Sequence, residues 1–69
     1  MLRIRDIRED RNLTQEEVAT YLQCDQSLYS KYERETREIP LRHIVALADY
    51  YNVSVDYLVG RTKNPLVNK

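Results

Sequence analysis

The sequence predicts an all-α domain, and three observations carry that reading. The chain holds one glycine and two prolines among its 69 residues, too few to turn a series of hairpins. Its apolar residues recur three and four positions apart instead of alternating. Thr14, Asp25 and Ser54 each precede a helical pattern, where a short oxygen-bearing side chain can satisfy free backbone N–H groups.

The elements follow in order. Leu2, Ile4 and Ile7 give a first helix over about residues 2–11, with Asn12 as its stop. Thr14 and Glu17 have the spacing of a capping box, and Val18, Ala19 and Leu22 form the inward face of the helix they open. After a break at Gln23-Cys24, Asp25 is placed to cap a third helix, with Tyr29 and Tyr32 inward and Gln26, Ser27, Ser30 and Lys31 outward. Residues 34–39 read as a charged loop. Pro40, suited to a first helical turn, opens a fourth helix with Leu41, Ile44, Leu47, Ala48 and Tyr51 inward and Asn52 as a left-handed stop. Ser54 caps a short fifth helix bearing Val55, Leu58 and part of Tyr57, which Gly60 ends. This gives one helical domain over residues 1–60 and a polar C-terminal tail over 61–69. A domain of this size buries only about 60% of its unfolded surface, so each core residue counts.

Composition excludes several classes of function. One cysteine forms no internal disulfide, and no Cys/His cluster provides a metal site. With one histidine, one cysteine and one glycine there is neither a phosphate-binding glycine loop nor a nucleophile paired with a base, so no catalytic residues, enzyme activity or cofactor are expected. The apolar run Ile44-Val45-Ala46-Leu47-Ala48 is far short of the ~20 residues a membrane span needs, and no leader opens the chain. A reducing cytoplasm fits. Eleven basic residues cancel eleven acidic ones, so attraction to nucleic acid would have to come from basic groups gathered on one face.

Residues 15–32 are the most informative stretch: two short helices joined by a three-residue turn, with Val18, Ala19, Leu22, Cys24, Tyr29 and Tyr32 inward. Small Ala19 allows a close crossing, which would make the second helix protrude rigidly enough to enter a major groove ~12 Å wide.

In Arg8, in Leu13-Thr14-Gln15-Glu16-Glu17-Val18-Ala19, in Ser30-Lys31-Tyr32-Glu33-Arg34, in Leu47-Ala48 and in Asn52-Val53-Ser54-Val55-Asp56-Tyr57-Leu58, the sequence resembles the helix-turn-helix regulators of the Cro and phage-repressor type. The resemblance spans about residues 4–60. It implies a compact, five-helix, lambda-repressor-like domain that binds double-stranded DNA sequence-specifically to regulate transcription, most simply as a repressor. It implies that Gln26, Ser27, Ser30 and Lys31 face base edges, and that Gln15, Arg34, Arg37 and Arg42 touch the DNA backbone. It also implies an ion pair between Arg8 and Glu33, against the plain reading of two solvated charges. A homodimer on a pseudo-palindromic operator is expected, with Tyr57, Val59, Leu66 and Val67 as its surface.

Two departures from the family pattern stand out. Gln23 and Glu35 occupy positions where glycine is usual, and Glu35, with Glu38, puts acid near the expected phosphate path. Those acids, and the zero net charge, suit an alternative in which the fold serves as an antitoxin-like or antirepressor protein-interaction module. Cys24 reads as inert filler and His43 as a solvated surface residue. Tyr21, Tyr50 and Tyr57 are either ordinary helix-edge tyrosines or a partner surface. Leu28 faces away from its helix's apolar stripe, toward a thymine methyl, a second subunit or solvent.

Overall fold

The computed structural model describes residues 2–63 and contains five helices: α1 (Ile4–Asp10), α2 (Gln15–Leu22), α3 (Gln26–Glu33), α4 (Leu41–Tyr51) and α5 (Val55–Leu58). Among these residues no strand forms. α2 packs on α3 and α4 packs on α5, while the core draws on every element through Ile4, Ile7, Val18, Leu22, Tyr29, Tyr32, Leu47, Tyr51 and Leu58.

The helix starts divide by chemistry. The Thr14 hydroxyl accepts from the Glu17 amide at 3.1 Å and the Glu17 carboxylate accepts from the Thr14 amide at 3.1 Å, completing the capping box. The Ser54 hydroxyl accepts from the Tyr57 amide at 3.0 Å. Asp25 has the extended backbone of a cap but does not act as one, because its carboxylate takes the Ser27 hydroxyl instead of a backbone N–H. Pro40 precedes α4 as its extended cap residue rather than lying in its first turn.

The helix ends share one solution. Asn12, Gln23, Glu35, Asn52 and Gly60 all have φ between 55° and 81°. After each, two backbone N–H groups reach back into the last turn, as in Gln23 to Thr20 at 3.1 Å and Cys24 to Ala19 at 3.0 Å. This is the Schellman arrangement, which satisfies otherwise orphaned carbonyls. Glycine takes that conformation freely, as Gly60 does.

The first helix is shorter than the apolar pattern predicts: Leu2 lies before it, half-buried, and Arg3 is its cap residue. Three side chains also depart from expectation. Leu41 is 71% exposed rather than inward. It is the first residue of α4, and helical side chains lean toward the N-terminus, so it overhangs an end where nothing packs. His43 is buried rather than solvated, since its four-residue spacing to Leu47 and then Tyr51 puts it on the inward stripe, where its ring tilts against Tyr32 at 6.0 Å. Leu28 is half-buried at the rim of the core instead of facing away from it.

Two arginines tie α1 to the C-terminal half. Arg3 donates from its backbone to the Leu58 carbonyl at 2.8 Å and from Nη1 to the Tyr57 and Thr62 carbonyls, each at 2.9 Å, with its guanidinium 4.5 Å from the centre of the Tyr57 ring. Arg11 Nη2 donates to the Tyr51 carbonyl at 3.0 Å and lies over the same residue's ring. Neither tie is anticipated from the sequence, because a backbone carbonyl partner leaves no residue-type signal.

Candidate nucleic-acid interface

The α2–turn–α3 unit is built from opposing faces. The three residues between the helices turn tightly through left-handed Gln23, and small Ala19 is buried on α2. Tyr29 and Tyr32 anchor α3 inward, which leaves Gln26, Ser27, Lys31 and Arg34 exposed and Ser30 half-buried on the other side. One face of α3 therefore presents amide, hydroxyl and cationic groups, the functional groups that can pair with base edges and phosphates. Ser27 is partly engaged already through Asp25, and Arg34 Nε turns back to the Ser30 carbonyl at 3.4 Å. Arg37, in the loop, and Arg42, in the first turn of α4, are also exposed.

Behind α3 lies a buried polar cluster. Arg8 Nε donates to Glu33 Oε2 at 2.6 Å and Nη2 to Oε1 at 3.2 Å, a two-pronged ion pair with side chains 12% and 2% exposed. Two solvated charges are ruled out by that burial. Arg8 Nη1 donates to the Leu13 carbonyl at 2.7 Å, and Gln15 Nε2 donates to Glu33 Oε1 at 3.0 Å. Glu33 thus gathers α1, the start of α2 and the end of α3. Burial opposes its charge, but the bonds from Arg8 and Gln15 outweigh burial and hold its pKa below the usual carboxylate value. The bond to Glu33 raises the Arg8 pKa, and burial together with the Glu33 carboxylate pushes the Tyr29 hydroxyl far up. Sequence reasoning missed two members of the cluster, the Gln15 contact to Glu33 and the Arg8 bond to the Leu13 carbonyl. A glutamine opening a helix gives no sign of an internal partner.

The remaining candidates fall outside this surface. Cys24 is half-buried, and burial, then Asp25, raises its thiol pKa, which keeps it a poor nucleophile. Burial, then Arg42, lowers the pKa of His43. Tyr21 and Tyr50 stack with ring centres 4.1 Å apart, and the Tyr21 hydroxyl donates to the Ala46 carbonyl at 3.4 Å, so both rings have partners within the chain. Leu66 and Val67 lie outside the described residues. Among the described residues no cluster of His, Cys, Asp and Glu could hold a metal ion, and no helix is long and apolar enough to cross a membrane.

A five-helix fold with a rigid two-helix unit and a polar outer face defines a helix-turn-helix domain, and a family model described as helix-turn-helix matches residues 4–58. The chain belongs to that family, in its Cro and phage-repressor type. Among curated proteins it is similar to the uncharacterized HTH-type transcriptional regulator YobD of Bacillus subtilis (strain 168), at 41% identity over 63 residues, covering 91% of this chain and 56% of that protein. It is 36% identical over 59 residues to the HTH-type transcriptional regulator ImmR of the same organism, covering 86% of this chain and 46% of ImmR. It is 34% identical over 67 residues to the cryptic phage CTXphi transcriptional repressor RstR of Vibrio cholerae, covering 97% of this chain and 60% of RstR. The chain thus spans about half the length of these relatives. No solved structure matches it significantly.

Proposed function

We propose that the chain binds double-stranded DNA as a transcriptional regulator, with α3 in the major groove. The observation that carries this reading is the outer face of α3, where Gln26, Ser27 and Lys31 are exposed on a helix locked from behind by Tyr29, Tyr32 and the Arg8–Glu33 pair. Gln can pair with adenine and Lys with guanine, while Ser27 and Ser30 can bond to either kind of edge. Gln15, Arg34, Arg37 and Arg42 supply backbone contacts. Three relatives named as transcriptional regulators or a repressor support the reading, and RstR's name favours repression.

One helix reads few base pairs, so the functional unit is a homodimer on two half-sites about 34 Å apart. Tyr57, Val59, Leu66 and Val67 are its proposed surface, and the site of action is the cytoplasm.

The test is affinity for random-sequence duplex, read by fluorescence anisotropy across a salt series, for wild type and for Lys31→Ala and Arg34→Ala. The expected result is a steep fall with salt, its logarithmic slope reduced by about 0.9 for each phosphate contact removed. Absence of binding at low salt would overturn the reading and point to a protein partner.

A further inference from the structure

We infer that Glu33 is a positioning residue for DNA: it holds the Gln15 amide so that one Nε2–H is committed inward and the other is left to donate to a phosphate oxygen. This rests on the duplex reading above and extends it to a side chain that touches no DNA.

A free glutamine amide can turn either its oxygen or its nitrogen outward, and only the nitrogen can donate to a phosphate. A carboxylate only accepts, so the atom of Gln15 that meets Glu33 Oε1 at 3.0 Å has to be nitrogen. That amide nitrogen carries two hydrogens, and one bond to Glu33 leaves the second uncommitted. Gln15 is half-buried at the first position of α2, so the residue is not closed off from solvent.

Charge would ordinarily forbid the arrangement, because a carboxylate behind a phosphate contact repels the phosphate. Here the Glu33 side chain is 2% exposed and its charge is matched by Arg8 through both oxygens. The pair therefore acts on Gln15 as a fixed acceptor without projecting net negative charge. Arg8 also fixes the backbone beneath Gln15, through the Leu13 carbonyl at 2.7 Å, while the Thr14–Glu17 capping box fixes the turn that follows. Side chain and backbone of one residue are thus held from two neighbouring helices.

The experiment is a double-mutant cycle of Gln15→Ala and Glu33→Gln in the full chain, with affinity for a random-sequence duplex measured across salt at a temperature where circular dichroism shows all four proteins folded. Each single variant should weaken binding about tenfold with the salt slope unchanged, since a neutral amide displaces no counterion, and the double variant should be no weaker than either. Losses that multiply would overturn the inference while leaving the DNA reading intact. No binding by wild type would overturn both. Should Glu33→Gln not fold, wild-type nuclear magnetic resonance decides: on adding duplex, one Gln15 Nε2 proton should shift and its partner hold still, whereas movement of both would mean that the amide leaves Glu33.

Discussion

Arg8 and Glu33 stand 25 positions apart in the chain, and their side chains meet at 2.6 Å. The contact closes α1 onto the end of α3 across the whole helix-turn-helix unit, so the orientation of the outer face depends on a pair that never reaches it. Arg8→Ala leaves Glu33 buried and uncompensated, a loss of about 3–5 kcal/mol. Urea denaturation should show it as a large drop in midpoint. Replacing both partners by apolar residues of similar volume should recover much of that loss, and a double variant as unstable as Arg8→Ala would show that the pair is not the cause.

Stability should decline in two steps on the acid side. His43 has a lowered pKa in the fold, so the unfolded chain binds its proton first, and stability falls as pH drops below the ordinary 6.5. Glu33 is likewise lowered, so its contribution is complete above the ordinary 4.5 and is lost as pH falls through its folded value. His43→Asn should abolish only the first step in a series of thermal melts.

On the alkaline side Tyr29 and Tyr51 act together, since both hydroxyls are pushed up in the fold. Burial, then nearby Tyr50, pushes the Tyr51 pKa up from 10.0 to about 12, so the folded chain keeps a proton that the unfolded chain loses. Stability should fall as pH rises above 10, and in the same melts Tyr51→Phe should lessen that fall between 10 and 12 without abolishing it, the remainder belonging to Tyr29.

Gln23 and Glu35 each hold a left-handed backbone without being glycine. The steric cost of about 1–2 kcal/mol exceeds the roughly 0.4–1 kcal/mol that glycine's extra freedom in the unfolded chain removes. Gln23→Gly and Glu35→Gly should each stabilise the fold by about 0.5–1 kcal/mol in urea denaturation. Glu35→Gly should in addition raise duplex affinity, because it removes an exposed acid just after α3, whereas Gln23→Gly should leave affinity unchanged.

Base readout separates Gln26 from its neighbours. On a selected operator, Gln26→Ala should cost about 1–3 kcal/mol and relax preference at a single base pair, with random-duplex affinity retained. Equal losses on both duplexes would reassign Gln26 to the backbone.

Much of this fold is legible in the sequence because its boundaries are local. Thr14 with Glu17, Ser54, Asn52 and Gly60 act within a few residues of themselves, and the four-residue spacing of Ile44 and Ala48 marks a core face directly. The errors have separate causes. Leu41 has the right residue type and spacing but overhangs the helix end, and Asp25 has the right type and backbone but spends its carboxylate on Ser27. His43 stands on the same stripe as Leu47 and Tyr51, a spacing outweighed in the sequence by its polarity. For the candidate site, the outward face of α3 follows from periodicity. The Gln15–Glu33 bond does not, since it depends on how two helices cross.

The helix ends also bear on the order in which the molecule assembles. Each Schellman stop is written within about six residues, so every helix can be delimited before any distant contact exists. Contacts that close nearby are made quickly, and helical chains dominated by them fold on the microsecond-to-millisecond scale. The arginine ties run the other way, with Arg11 to Tyr51 spanning 40 positions and Arg3 to Thr62 spanning 59. Closing loops that long comes late, so these ties act mainly as latches: they slow the departure from the native state and leave the rate of reaching it almost untouched.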